Sequence, residues 1–515
     1  FGSSLGSSIR TKPPTPHAPA PERRTAVMAG SHHIVFMNIA QTGHMNPTLP
    51  LVADLTARGC KVTYFVDSKM RSIVESAGAV WRPFRYAHAP DLSGFPEKLD
   101  EEGVAALVPM GTPEEEYESF HNGILYWTQR MLPALLEDMR ALMPPPAVVV
   151  YEPILAGPRV AAHVLGIPAV GMFTMPGPGC FNMPDQVVDE LEAKPWVQLP
   201  MQRIAERYGI DLFKDGLVME TYSPLENLVT TIPELCAPPA TERQMQRFGN
   251  FRFSCVGALM DKKVKRIANA HVGAKTATEE GLLIDKILKA RKAGLKVLFI
   301  SLGTVATKVF WERPFGDFAL ANDLPGSGSA GRRTLAQYSG KEFCQHVWRT
   351  CFDAFGGDKD LFVVMSLGPQ EDALQNMPPT PPNFLVCDAV PQLEVLPLCD
   401  AFLTHGGANS MHEALSLGVP LAVVPIFADQ PVNADTIART GAGISFRHPL
   451  LTLSDASLRS AMDTLLDESA ENSFRAAAQA MMKRFKDAGG VVTAVDIILK
   501  HASSIQVDRS RLGGC

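Results

Sequence analysis

Residues 402–413, Phe-Leu-Thr-His-Gly-Gly-Ala-Asn-Ser-Met-His-Glu, constrain this chain more than any other stretch. An apolar run ends at Thr404, a His-Gly-Gly turn follows, and Ala408 opens a segment with helical character. A strand that passes through a glycine turn directly into a helix is the repeating unit of a parallel α/β sheet. The chemistry of the turn is also specific. Gly406 and Gly407 let the backbone approach a diphosphate closely, Asn409 and Ser410 add side-chain donors, and the helix start offers unpaired amides and a favourable dipole. A Gly-Gly pair alone is a weak sign. His405 before it and Glu413 further along the helix make the constellation far more selective.

The rest of the chain repeats the same alternation. Residues 34–39 and 61–66 read as buried parallel strands, with Asn46 as helix N-cap, Pro47 at the first helical position and Gly59 as the stop between them. Residues 148–151 and 167–173 continue that sheet, with a helix over 158–165 between them. A second series begins at Lys296, with strands at 297–300, 361–365, 384–386, 401–404 and 421–424. With 515 residues, 46% of them hydrophobic, the chain exceeds one compact core. The fold class expected is therefore α/β, with two Rossmann-like doubly wound domains facing across a cleft. The boundaries expected are a disordered leader over 1–30, an N-terminal domain over 31–258, a polar, lysine-rich linker over 259–294, a C-terminal domain over 295–475, and C-terminal helices over 476–502. Residues 309–339 exceed the usual length of a strand-to-helix loop and read as a solvated insertion, with a lid over the cleft as the alternative.

Charge and cysteine usage exclude several classes. A net charge of -6 gives no footprint for nucleic acid or an anionic membrane, which leaves small-molecule partners. Nine cysteines without a CxxC pair suggest neither a disulfide framework nor a zinc site. No run of 18 apolar residues occurs, so no transmembrane segment is expected, and the location expected is cytoplasmic. The Ser-, Pro- and Arg-containing first thirty residues lack a secretory apolar core; an organelle transit peptide is the alternative to a plain tail.

Further motifs extend the constellation. Val390-Pro391-Gln392 precedes it, Pro425-Ile426-Phe427-Ala428-Asp429-Gln430-Pro431 and Asn433 follow it, Ser301-Leu302-Gly303-Thr304 closes the first strand of the same domain, and Gly43-His44-Met45-Asn46-Pro47 lies near the start. Together these resemble the family 1 glycosyltransferases, which include UDP-glucuronosyltransferases and macrolide, sterol and plant secondary-metabolite glycosyltransferases. The likeness runs from about His32 to Gly443. It implies the two-domain GT-B fold and a UDP-sugar as donor co-substrate, with no separate cofactor and no metal. It further implies that His405, Gly407, Asn409 and Ser410, with Ser301 and Thr304 opposite, hold the diphosphate. Glu413 would take the ribose hydroxyls, Asp429 and Gln430 the sugar hydroxyls, and Val390 and Gln392 the base. Where the family often carries a stacking tryptophan, three residues before Gln392, this chain has Ala389. The choice among uridine, thymidine and guanosine donors thus stays open, with Glu413 favouring ribose over deoxyribose.

In the N-terminal domain, His44 follows the first strand, at the sheet edge where doubly wound folds place their ligands. Imidazole has the basicity to take a proton from an acceptor hydroxyl near neutral pH, and the resemblance implies that role. The aspartate that orients this histidine in the family is replaced here by Glu152. A single displacement would invert the anomeric carbon. The acceptor implied is a lipophilic alcohol, phenol, sterol or polyketide, held by residues 81–127 with Met172, Phe173, Met175, Phe181 and Met183, although core packing explains the same side chains. Two other readings remain at this point: a sugar-nucleotide epimerase on the same fold and a non-catalytic nucleotide-sugar-binding protein.

Overall fold

The computed structural model describes residues 32–85, 113–178, 189, 193, 195–212, 220–237, 241–267, 277–316, 333–467, 469 and 473–504. The expected leader, the centre of the 309–339 insertion, and the acceptor candidates Phe181, Met183 and most of 86–127 lie outside the described residues or their described side chains.

Two parallel sheets organise the chain. The first contains β1 (His33–Met37), β2 (Lys61–Phe65), β3 (Val80–Arg82), β4 (Val148–Tyr151), β5 (Ala169–Phe173), β6 (Glu226–Val229) and β7 (Phe253–Cys255), in the order β3-β2-β1-β4-β5-β6-β7. The second contains β8 (Lys296–Ser301), β9 (Leu361–Ser366), β10 (Phe384–Cys387), β11 (Ala401–Thr404), β12 (Leu421–Val423) and β13 (Gly443–Ser445), in the order β10-β9-β8-β11-β12-β13. Each sheet starts at an interior strand and grows outward in both directions. The two-domain, doubly wound fold expected is the one observed.

The strand sequences account for this. In β1 every residue is buried, Val35 and Met37 entering one apolar cluster and Ile34 and Phe36 another on the opposite face. In β8, Leu298 and Ile300 pack on one side, Val297 and Phe299 on the other. Strands covered by helices on both faces need unbroken apolar runs, and β-branched and aromatic residues supply them.

Three details depart from the sequence reading. Asn46 is not a helix N-cap but the C-cap of a short helix. The chain makes a short helix over Thr42–Met45, the next runs over Thr48–Ala57 with Pro47 at its N-cap, and the Asn46 side chain instead accepts from the backbone N–H of Ile267 at 3.0 Å. The second half of the stretch read as linker is a helix, Ala277–Lys292, whose Leu283 and Ile287 pack into a core of the second domain. The last helix, Gly490–Ser504, returns to the first domain. Its Ala494, Val495 and Ile498 are buried with Leu49, Val52 and Val148, and Asp496 pairs with Arg58 at 2.8 Å.

Candidate functional site

In a parallel sheet that grows both ways from an interior strand, the loops leaving the two central strands diverge and open a crevice at the strand C-termini. The crevice of the first sheet lies between β1 and β4, and His44 and Glu152 stand there. Asn38, the residue after β1, accepts from Ile39 N at 2.7 Å and donates through Nδ2 to the His44 carbonyl at 2.9 Å, which shapes the turn. The Glu152 amide donates to Met37 O at 3.1 Å, holding the end of β4 beside that of β1. His44 Nδ1 then meets Glu152 Oε2 at 2.8 Å, and Thr174 Oγ1, just beyond β5, lies 3.0 Å from the same nitrogen. The Glu152 side chain is fully buried and that of His44 is 19% exposed. With Nδ1 on a carboxylate, the imidazole is held in the tautomer that leaves Nε2 as its basic atom.

The crevice of the second sheet lies between β8 and β11, which pair with Ser301 opposite Thr404. His405 leans between two glycines. A Cβ on Gly303 would run into its ring, and one on Gly407 would stand 2.5 Å from its Nε2. Gly303 and Gly406 also adopt φ of +75° and +83°, conformations that side chains oppose. The imidazole donates to the Ser301 carbonyl, and burial lowers its pKa to about 4, so His405 is neutral near pH 7. Thr304 precedes a short helical turn, Val305–Val309, and Gly407 is the N-cap of the helix Ala408–Ser416. Ser301, Thr304, His405, Gly407, Asn409 and Ser410 thus belong to two neighbouring turns around this crevice. Asn409 does more: its Nδ2 donates to Gly43 O at 2.7 Å, so the glycine-turn helix touches the His44 turn across the cleft.

Asp429 sits half-buried at the entry to the helix Gln430–Thr440, after Ala428 at φ +52°. Burial raises its carboxyl above the usual aspartate range, opposed by the 2.9 Å bond from Asn433 Nδ2. Asn433 also donates to Gly406 O at 2.7 Å, fixing the Asp429 carboxylate and the glycine turn to one another. Gln430 is used otherwise than the sequence suggested. It is buried, and its Oε1 accepts from the amides of Ile426 and Phe427 at 3.0 and 3.3 Å, so that oxygen is occupied by the loop.

Among the residues expected to hold the base and ribose, Val390 packs against the core, and Gln392 donates to Glu413 Oε2 at 2.7 Å with Ser410 Oγ 3.4 Å away. Glu413 is buried, and its other oxygen is held by Arg266 from the segment after β7. The free ribose acceptor expected at Glu413 is therefore already paired.

Met172, Phe173 and Met175, read as acceptor candidates, lie in the cores of the first domain. Among the described residues no group of three or more His, Cys, Asp or Glu is placed to hold a metal ion. No helix among them is long and apolar enough to cross a membrane. Sequence reasoning missed Asn38, Thr174, Arg266 and the fixing role of Asn433. Only Asn433 carried a signal, its place in the 425–433 motif.

Comparison with known proteins bears on the family and the fold. Residues 354–487 match the model of the erythromycin biosynthesis protein CIII-like C-terminal domain. The chain is 25% identical to NDP-glycosyltransferase YjiC of Bacillus subtilis (strain 168), over 90% of this chain and 95% of that protein. It is 25% identical to the oleandomycin glycosyltransferase of Streptomyces antibioticus, over 79% of this chain and 78% of that one. The solved glycosyltransferase of kitacinnamycin superposes with a TM-score of 0.61 at 25% identity, over 91% of this chain and 98% of its own.

Proposed function

From the premise that the chain belongs to the family 1 glycosyltransferases, two-domain enzymes of GT-B fold, we propose that it moves a hexose from a UDP-sugar to a hydroxyl of a small lipophilic acceptor with inversion. The observation that carries this reading is the contact of His44 Nδ1 with Glu152 Oε2 at 2.8 Å, set one residue from the Gly43 carbonyl that Asn409 reaches from the glycine-turn helix.

The acceptor oxygen attacks the anomeric carbon while His44 Nε2 takes its proton. The new C–O bond forms as the bond from that carbon to the β-phosphate oxygen breaks. Glu152 keeps the imidazole oriented and stabilises the imidazolium as it forms. The diphosphate leaves with its charge facing the amides of the Gly406–Gly407 turn and the positive end of the helix Ala408–Ser416, and no metal is required for that step. Neutral His405 gives its single N–H to the Ser301 carbonyl and serves to position the two turns rather than as a cation. Asp429 takes hydroxyls of the sugar.

The test is turnover of UDP-glucose with a panel of phenols, sterols and macrolides, in the presence of a chelator, following UDP release and glycoside mass. Wild type forms an inverted glycoside, His44→Ala loses the rate by about 100-fold or more, and Glu152→Gln lowers kcat more than it changes KM. Tight UDP binding with no glycoside from any pair would replace this reading with a nucleotide-sugar-binding protein.

A further inference from the structure

The carboxylate assigned to the ribose is paired on both oxygens within the protein. Gln392 Nε2 donates to Glu413 Oε2 at 2.7 Å, and an Arg266 guanidinium nitrogen holds Oε1. The Glu413 side chain is 5% exposed and that of Arg266 29%, so the carboxylate is enclosed while the arginine borders solvent and has room to leave. Arg266 belongs to the first domain's exit segment. The next residue, Ile267, is buried in a first-domain core, and its amide donates to Asn46 Oδ1, two residues from His44. The guanidinium is therefore delivered across the domain boundary from an anchored backbone. The neighbouring Lys262, 3.8 Å from Glu394, reaches over the same boundary.

A hydroxyl donating to the carboxylate is charge-assisted on one side only, whereas in the arginine–carboxylate bond both partners are charged and the guanidinium carries several donors. A ribose 2′-hydroxyl that seeks Glu413 must share or displace that partner, and gains correspondingly little by doing so. We propose that Arg266 is a specificity-determining residue of the donor site: by competing for Glu413 it cancels the advantage of a ribose over a 2′-deoxyribose, so nucleoside diphosphates of both kinds bind. The inference rests on the donor site being where the proposed function puts it, and it reverses the preference for ribose that Glu413 alone suggests.

Calorimetric titration of UDP and 2′-deoxy-UDP into the full chain tests this, since the two differ in one hydroxyl. Wild type is expected to bind them within about threefold of each other. In Arg266→Met, which keeps length and removes charge, UDP tightens relative to 2′-deoxy-UDP until their ratio reaches about tenfold, or 1.4 kcal/mol. Arg266→Lys falls between, and Glu413→Gln abolishes the ratio in the Met background. Thermal unfolding establishes that each variant is folded. A wild type that already prefers UDP tenfold, or an Arg266→Met that weakens both nucleotides equally, overturns the inference and leaves the donor site standing. Failure of the folded wild type to bind either nucleotide overturns the donor-site reading and this inference with it.

Discussion

Asn409 Nδ2 lies 2.7 Å from the carbonyl oxygen of Gly43, a single hydrogen bond that joins the first turn of the second domain's glycine-turn helix to the residue preceding His44. Each end sits at the crevice of its own sheet, so the bond fixes the His44 turn and the Gly406–Gly407 turn to one another across the cleft. A side-chain amide has two hydrogens, and the Gly43 carbonyl uses one of them. Asn409 is thus able to span the cleft and still donate to a phosphate oxygen.

Asn409→Asp should separate these surfaces. It removes both donors, sets a carboxylate oxygen against the Gly43 carbonyl, and puts a negative charge beside the diphosphate. A lost hydrogen bond and the added repulsion together amount to about 2–3 kcal/mol. Donor KM should rise by about 30- to 100-fold while the melting temperature stays near that of wild type. Steady-state kinetics over a UDP-sugar series reads this; an unchanged KM would mean that Asn409 does not face the donor.

Gly303→Ala targets the other wall. At φ +75° a side chain costs about 1–2 kcal/mol of backbone strain, and its Cβ collides with the His405 ring besides. The ring cannot retreat freely, because Gly407 flanks its other side. The expected outcome is a loss of UDP affinity of tenfold or more with a modest fall in stability, read by calorimetry and thermal unfolding. Full affinity would show that the Ser301–Thr304 turn stands away from the diphosphate.

Asp429 and Gln430 are adjacent in sequence and differ in what holds them. Gln430 supports the Ile426–Phe427 backbone, so Gln430→Ala leaves two buried amides unsatisfied and should destabilise the second domain by about 1–3 kcal/mol while lowering turnover. Asp429→Asn keeps a side chain able to face Asn433 and should leave UDP binding and stability intact, with turnover of the UDP-sugar reduced at least tenfold. Equal stability loss in the two variants would make Asp429 a scaffold residue as well.

The two sheets were legible because β1, β4, β8 and β11 are unbroken apolar runs ended by glycine or helix-cap chemistry. β6 was not, for a physical reason: it opens with Glu226 and Asn227, polar residues that leave only Leu228 and Val229 as an apolar run. Both polar residues are buried. Asn227 binds Ser223 N and Ser223 O at 2.8 Å each, and Glu226 is paired with Arg252 at 3.0 Å and with Ser254 at 2.9 Å. Buried polar groups with complete partners leave no trace in an apolar pattern. The pairing of His44 with Glu152 was readable from motif and position, whereas Thr174 and Arg266 come from distant segments with ordinary composition around them. Their roles depend on which strand ends the topology brings together.

Stability should fall on mild acidification, and His412 identifies one source. Burial lowers the pKa of His412 to about 3 and of His405 to about 4, against 6.5 for an exposed histidine. Below pH 6.5 the unfolded chain takes up protons that the folded rings refuse until those lower values are reached, so folding free energy is lost as pH falls through that window. Each such ring removes up to about 1.4 kcal/mol per pH unit. Asp429 shifts the opposite way, favouring its protonated folded form, and offsets part of the loss at the acid end. His412 lies buried on the helix Ala408–Ser416, its ring centre 5.7 Å from that of Phe485, and its Nε2 has no hydrogen-bond partner among the described residues. His412→Leu therefore removes a titrating group without breaking a bond. At pH 7 the variant should match or exceed wild type in denaturant unfolding, and between pH 6.5 and 4.5 it should lose about 2 kcal/mol less. An equal loss in both proteins would assign the acid sensitivity of the second domain to His405 and other groups.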